Sequence, residues 1–242
     1  MTSLSTEIKI CGITRLEDAL CAAACGADAV GFIFHEASPR YIPPEKARAI
    51  IAGLPPGIAK VGVFVNRPAP EVERIAEGCG LDLIQLHGDE SPAECRRFPA
   101  DRIIKAVSPQ TAEALLPLEA YRVRAFLVDA REPGRYGGTG KRADWAPAAR
   151  LAQARPLILA GGLGLENMAA ALAAVAPAAV DINSGCERAP GIKDHGRMRA
   201  IVALIRREGP AGSAGECSGR RPSPGKIFCA SLGPFNRRIL PC

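Results

Sequence analysis

Aromatic residues are scarce in this chain, with one Trp, three Tyr and seven Phe in 242 residues. Ala and Gly are abundant instead, which suits closely packed helices and turns better than an aromatic-rich binding platform. The cysteines, nine in all, lack a paired framework. They are scattered through predicted helices, strands and tail, as fits a reducing compartment and not a secreted disulfide scaffold. Cys21 and Cys25 share a helix face at i, i+4, but no pair of His or Cys follows at ligand spacing. No metal site is therefore read, and both are assigned to a helix surface or core. Long apolar runs are missing too: the longest, Met168 to Val180, is too short to span a bilayer and contains Pro177. Residues 1–7 have neither the basic nor the apolar segment of a signal peptide. The expectation is a soluble cytoplasmic protein without membrane contact.

The net charge of +6 points at nucleic acid only until it is located. From Gly209 onward five Lys or Arg stand against one Glu, so +4 of it lies in the last stretch and the remainder is nearly balanced. No nucleic-acid surface is read. From Gly209 the composition also turns to Gly, Pro, Ser, Arg and Cys without periodicity. Residues 209–242 are expected to be a disordered appendage, with Phe228 and Phe235 its only docking anchors, and residues 1–208 a single catalytic domain.

Within 1–208 the pattern alternates. Strands are expected at Ile8 to Thr14, Ala27 to Phe34, Ala59 to Val65, Leu83 to Leu86, Arg102 to Val107, Phe126 to Asp129, Leu157 to Ala160 and Ala179 to Asn183. Helices follow each: from Arg15 with Thr14 as N-cap and Glu17 completing a capping box, from Pro44, Glu71, Pro92, Gln110, Asp144, Glu166 and Asp194. Eight strands each followed by a helix is the count that closes a parallel (β/α)8, or TIM, barrel.

The unusual residues collect at C-terminal strand ends, the active face of such a barrel. On the first strand Glu7, Lys9 and Cys11 share one side and Ile8 and Ile10 the other. Cys11 is either a reactive thiol at the rim, with Lys9 favouring its thiolate, or a small buried apolar residue. Asp129, at the end of strand six, is a second candidate for proton transfer or else a cap. Lys9, Gln85, Lys105 and Asp181 cannot all enter an apolar helix layer, so they should line the barrel mouth, with His87 beyond Gln85 on the same strand face. Asp89, Glu90 and Glu187 read as solvent-facing or caps. Arg40, in the Ser38-Pro39-Arg40-Tyr41 loop, is placed to clamp a carboxylate or is a surface cation. Gly161-Gly162 after strand seven and Asn183-Ser184-Gly185 after strand eight offer bare amides where these barrels commonly bind phosphate.

These stretches, Lys9-Ile10-Cys11-Gly12-Ile13, Gly31-Phe32-Ile33-Phe34 with Ser38-Pro39-Arg40, Val61 to Asn66, Gln85-Leu86-His87-Gly88, Gly137-Gly138-Thr139-Gly140, Ala160-Gly161-Gly162-Leu163 and Asp181 to Gly185, together resemble the phosphoribosylanthranilate isomerase family. The match runs in register to Pro190-Gly191-Ile192-Lys193-Asp194. The resemblance implies a cofactor-free Amadori rearrangement of N-(5-phosphoribosyl)anthranilate to the carboxyphenylamino-deoxyribulose phosphate in tryptophan biosynthesis. It implies Cys11 as general base, Asp129 as general acid and Arg40 as the grip on the anthranilate carboxylate. The partner implied is a small phosphosugar, and the assembly a monomer or homodimer. Cys186, where an aliphatic residue is usual, and the tail beyond Glu208 depart from the family pattern.

The chemistry demands opposite shifts from the acid and the base. An ordinary Asp near pKa ~3.9 is about one part in a thousand protonated at pH 7, and an ordinary Cys near ~8.5 only a few per cent thiolate. The sign of the thiol's shift is not fixed by sequence. Two other readings stay open: a non-catalytic barrel that binds a sugar phosphate, and the indoleglycerol-phosphate synthase of the same pathway, whose longer N-terminal extension has no counterpart before strand one.

Overall fold

A computed structural model of the chain describes residues 5–108, 118–129, 145–208 and 226–228. Eight strands, β1 (Glu7–Ile10), β2 (Ala29–Ile33), β3 (Ala59–Phe64), β4 (Leu83–Leu86), β5 (Ile103–Val107), β6 (Ala125–Asp129), β7 (Leu157–Ala160) and β8 (Ala179–Ile182), form a closed barrel. Each pairs in parallel with the next, and β8 returns to β1 through Glu7↔Ala179 to Ile10↔Ile182. Between them run α1 (Leu16–Ala24), α2 (Pro44–Ala52), α3 (Ala69–Cys79), α4 (Pro92–Cys95), α5 (Ala146–Ala154) and α6 (Met168–Val175), and α7 (His195–Glu208) closes the ring. The eight-stranded barrel is the architecture the alternation predicts. The helix expected at 110–116 and the Gly-rich stretch 137–140 lie outside the described residues.

The elements begin and end for local reasons. Pro44 opens α2, and Gly80, with φ of 68°, stops α3 in the left-handed region, where a side chain carries a steric cost. Ser91 and Glu94 form a reciprocal capping box on α4, which stops after one turn instead of reaching Phe98. The cap expected from Thr14 is absent. Arg15 takes that position without a side-chain bond, and the Thr14 hydroxyl instead donates to the Gly191 carbonyl. The acidic residue that matters in α1 is Asp18, buried, receiving Lys193 N at 3.1 Å and His195 Nε2 at 2.8 Å.

Strand parity sorts the core into two shells. Ile8, Ile10, Val30, Phe32, Ile84, Leu86, Phe126, Val128, Leu157, Leu159, Val180 and Ile182 pack outward with the helices. Ala29, Ala59, Val61, Leu83, Ile104, Ala106, Ala125, Leu127, Ile158, Ala160 and Ala179 pack inside the barrel. This corrects the reading of Lys105. With Ile104 and Ala106 inside, Lys105 points outward, where its Nζ meets Glu90 Oε2 at 2.9 Å and Gly88 O at 2.7 Å. Glu90, read as solvent-facing or a cap, is accordingly buried and so not solvent-facing, and it caps loop backbone by receiving the N–H of Asn66 and Gly88.

The hairpin after β8 was not anticipated, while Phe228 is one of the two docking anchors named for the tail. A 3-10 turn (Ser184–Cys186) after β8 leads into a hairpin of β9 (Glu187–Ala189) and β10 (Ile192–Lys193), for which Pro190-Gly191 is the available turn signal. In the tail, Ile227 and Phe228 are buried within the inner shell, so at these residues the chain is packed and does not stand apart. Phe235 lies outside the described residues.

Candidate active site

Cys11 follows directly on β1 and extends its pairing, donating its N–H to Ile182 O at 2.9 Å. Its inward face is built against a glycine: a Cβ at Gly31 on β2 would lie 2.7 Å from Cys11 Sγ and 3.0 Å from Lys9 Cε. Gly31 thus makes the space for both side chains, a role that a glycine inside a strand signals but that sequence reading left unassigned.

Below the thiol lies a charged layer. Lys9 Nζ donates to Asp181 Oδ2 at 2.8 Å and to Gln85 Oε1 at 2.9 Å, and Gln85 Nε2 stands 2.8 Å from His87 Nδ1. Lys9, Gln85 and Asp181 are 0%, 1% and 8% exposed, so they form a sealed layer beneath the mouth where an open lining was expected; His87 is half-buried above them. Burial alone would drive the Lys9 ammonium toward neutrality, but Asp181 and Cys11 together more than offset it and hold its pKa above the ordinary value. The second oxygen of Asp181, Oδ1, is buried without a hydrogen-bond partner. His87 is shifted down, chiefly by burial, with the Asp129 charge opposing, and so favours the neutral imidazole.

The same layer settles the direction of the thiol's shift. Burial and then the Asp181 carboxylate raise the Cys11 pKa, and together they outweigh Lys9 and Lys193, which pull it down. At neutral pH the thiol therefore keeps its proton in the unliganded site.

Asp129 ends β6, opposite Ala160 in the register with β7. Ala125 and Leu127 belong to the inner shell, so Asp129 shares their inward parity, and it is half-exposed at the rim. Cys11 and Asp129 thus arise from non-adjacent strands and face one enclosure.

Arg40 does not stand alone. Its Nε lies 3.0 Å from both Glu187 oxygens and its Nη2 2.7 Å from Oε2, while Lys193 Nζ meets Oε1 at 2.9 Å. Glu187, read as solvent-facing or a cap, is buried. Burial would raise its carboxyl, yet Arg40 and Lys193 win and hold its pKa below the ordinary carboxylate range. The cluster sits against the first loop, where a Cβ on Gly12 would come within 2.9 Å of Arg40 Cδ and 2.7 Å of Asn183 Oδ1.

Loops seven and eight meet. Gly161 and Gly162 both have positive φ, at 95° and 62°, and Asn167 braces the turn by accepting Gly164 N at 2.9 Å and donating to Gly162 O at 3.0 Å. A Cβ on Gly185 would fall 1.9 Å from Leu163 O. Of the predicted anion residues, Gly161, Gly162, Ser184 and Gly185 belong to these abutting turns, whereas the Asn183 side chain is turned away to Lys193. Cys186 fills core space as an aliphatic residue would, and burial pushes its thiol up to about 11. Among the described residues no group of three or more His, Cys, Asp or Glu could hold a metal ion, and no helix is long and apolar enough to cross a membrane.

A closed (β/α)8 barrel with its ionisable groups gathered at the carboxyl ends of the strands defines a barrel enzyme whose active face lies at that end. The family of N-(5'-phosphoribosyl)anthranilate isomerases matches residues 8–203. The N-(5'-phosphoribosyl)anthranilate isomerase of Syntrophus aciditrophicus is 57% identical over 202 residues, covering 84% of this chain and 88% of its own. The crystal structure of the Thermotoga maritima phosphoribosyl anthranilate isomerase superimposes with a TM-score of 0.75 at 42% identity, covering 83% of this chain and 98% of that one. A phosphoribosyl anthranilate isomerase solved with reduced 1-(o-carboxyphenylamino)-1-deoxyribulose 5-phosphate gives a TM-score of 0.70 at 39% identity, with the same coverage. The chain belongs to the N-(5'-phosphoribosyl)anthranilate isomerase family.

Proposed function

We propose that this chain converts N-(5-phosphoribosyl)anthranilate to 1-(2-carboxyphenylamino)-1-deoxyribulose 5-phosphate in tryptophan biosynthesis, with Asp129 as general acid and Cys11 as general base. Family membership supports the reaction. The observation that carries the assignment of residues is the common inward parity of Cys11 and Asp129 at the ends of β1 and β6. Asp129, protonated, gives its proton to the ribose ring oxygen as the C1–O bond opens and an iminium forms. The Cys11 thiolate then removes the proton on C2, leaving an enolamine that tautomerises to the ketone. One proton is given and one taken, so the step is an isomerisation needing no redox partner.

Lys9 supplies the local positive charge that limits the cost of the buried thiolate, and Gln85 links it to the neutral His87 beside the acid. Arg40 takes the anthranilate carboxylate. The amides of loops seven and eight, at Gly161, Gly162, Ser184 and Gly185, take the phosphate. The working unit is a monomer or homodimer acting on this small phosphosugar in the cytoplasm.

Turnover is followed by loss of the substrate's anthranilate fluorescence with purified protein. Cys11→Ala and Asp129→Asn each lower kcat by ~10²–10⁴-fold, with the reduced product analogue still bound. Near-parental turnover in either variant removes that residue from its role. Binding of the analogue without turnover by the parent protein establishes the non-catalytic sugar-phosphate barrel instead.

A further inference from the structure

The inner shell of the barrel carries four alanines and a carboxylate at its N-terminal end, beside Leu83, Ile104 and Ile158. Barrel interiors are normally closed by layers of bulky branched side chains, yet here β2, β3, β6 and β8 begin with Ala29, Ala59, Ala125 and Ala179, and each presents only a methyl group inward. β1 begins with Glu7, also inward and 6% exposed. Beside Leu83, Ile104 and Ile158 of the same cluster, these short side chains make space next to a buried carboxylate that needs hydrogen-bond donors.

The tail residues 226–228 meet both needs. Ile227 and Phe228, 1% and 4% exposed, pack in the same cluster as the four alanines. Their backbone N–H groups donate to the two Glu7 oxygens, Ile227 at 2.5 Å and Phe228 at 3.1 Å. Arg124, the residue before β6, donates from Nε to Ile227 O at 2.6 Å and from Nη2 to Lys226 O at 2.7 Å. Its Nη1 reaches Asp101 O at 3.0 Å. The segment is therefore held at both ends of its polar backbone as well as by its side chains, and the groups holding it come from the feet of β1 and β6. Those two strands are not neighbours in the sheet, and their other ends carry Cys11 and Asp129.

We propose that Lys226–Phe228 is a built-in plug, that the barrel floor is an interaction surface whose partner is the chain's own tail, and that docking ties the feet of β1 and β6 together across the barrel axis. The segment falls outside residues 8–203, the part shared with the family. The relative 57% identical to this chain has 88% of its length within the 202 matched residues. The plug is thus an addition to the part of the chain that matches the family model.

The test uses the full chain and does not depend on the reaction assigned above. Phe228→Ala is expected to lower Tm by roughly 6–20 °C, the shift for emptying a buried Phe site in a domain of this size. Ile227→Asp sets a second carboxylate against Glu7 and expels the segment. Glu7→Gln replaces an acceptor-only group with one that turns an amide NH2 toward a backbone N–H. It therefore lowers Tm by several degrees in the parent and by less than about 1 °C in the Ile227→Asp background. Hydrogen exchange in Phe228→Ala quickens at residues 7–9 and 125–127 together, while α2 and α3 keep their protection. A Phe228→Ala Tm within about 1 °C of the parent, an equal cost of Glu7→Gln in both backgrounds, or unchanged exchange at the feet of β1 and β6 overturns the proposal.

Discussion

Arg40 and Glu187 lie 147 residues apart in sequence and form a forked ion pair, Nη2 to Oε2 at 2.7 Å with Nε shared between both oxygens. The pair fixes the guanidinium plane before any ligand arrives and leaves Nη1 outside the fork. A carboxylate approaching Arg40 meets a cation already oriented, with Lys193 behind Glu187 keeping the cluster net positive. Arg40→Ala is expected to raise KM for phosphoribosylanthranilate by about 10–100-fold, the scale of a lost charge-assisted hydrogen bond, with a smaller change in kcat. Arg40→Lys restores only part of the affinity, because an ammonium cannot copy the fork. Steady-state kinetics on the three proteins decide it. A fall confined to kcat would place Arg40 elsewhere in the reaction.

The same cluster makes stability depend on pH. Glu187 titrates below its ordinary value in the folded chain because Arg40 and Lys193 outweigh its burial. Its folded pKa lies under its unfolded one, so its contribution is complete above the unfolded value, ~4.3. That contribution drains away as pH falls through the lower folded value. Glu187→Gln should therefore cost about 1–3 kcal/mol at pH 7 and progressively less below pH ~4. Urea midpoints of parent and variant across that range measure it, and a difference that stays constant down to the acid end contradicts the pairing.

Cys11 has the opposite behaviour, in activity. Its pKa is raised by burial and by Asp181 against the pull of Lys9 and Lys193, so the thiolate is scarce at neutral pH. If Cys11 is the base, kcat/KM climbs about tenfold per pH unit on the acid side of its optimum. Asp181→Asn removes the second cause of the shift, and the limb moves to lower pH. A limb that stays in place when Asp181 is neutralised assigns the titration to another group.

How far the sequence foretold this site differs from residue to residue. The alternation of apolar runs with Ala-rich helical stretches gave the strand count, and period-two parity placed Lys9, Cys11, Gln85 and Asp181 inside the barrel, because these are local regularities. Lys105 misled for an informative reason. A polar residue in a strand can be satisfied outside the sheet when a loop supplies a carboxylate, and Glu90, 15 positions earlier, did so. Glu187 was read as solvent-facing or a cap because its partners, Arg40 and Lys193, become neighbours only when the hairpin Glu187–Lys193 folds over the first loop. Composition described the tail as too apolar-poor to fold by itself, but whether two of its residues fit the barrel floor depends on the floor. That floor is lined by alanines on four different strands together with Leu83, Ile104 and Ile158.

The contact between Gly185 and Leu163 carries the remaining expectation. A methyl group on Gly185 would sit 1.9 Å from Leu163 O, with Gly164 Cα at 3.0 Å, and the obstacles are backbone atoms that cannot swing aside as a side chain could. Loop eight must then move off loop seven, which separates the two turns proposed to hold the phosphate. Because the phosphate is remote from the atoms that react, its loss removes binding in the ground and transition states alike. Gly185→Ala should therefore raise KM by about tenfold or more, with kcat retained far better than in Cys11→Ala. Inorganic phosphate should compete with the substrate in the parent and inhibit the variant less. A variant with parental KM and parental phosphate inhibition would move the anion seat away from these two turns.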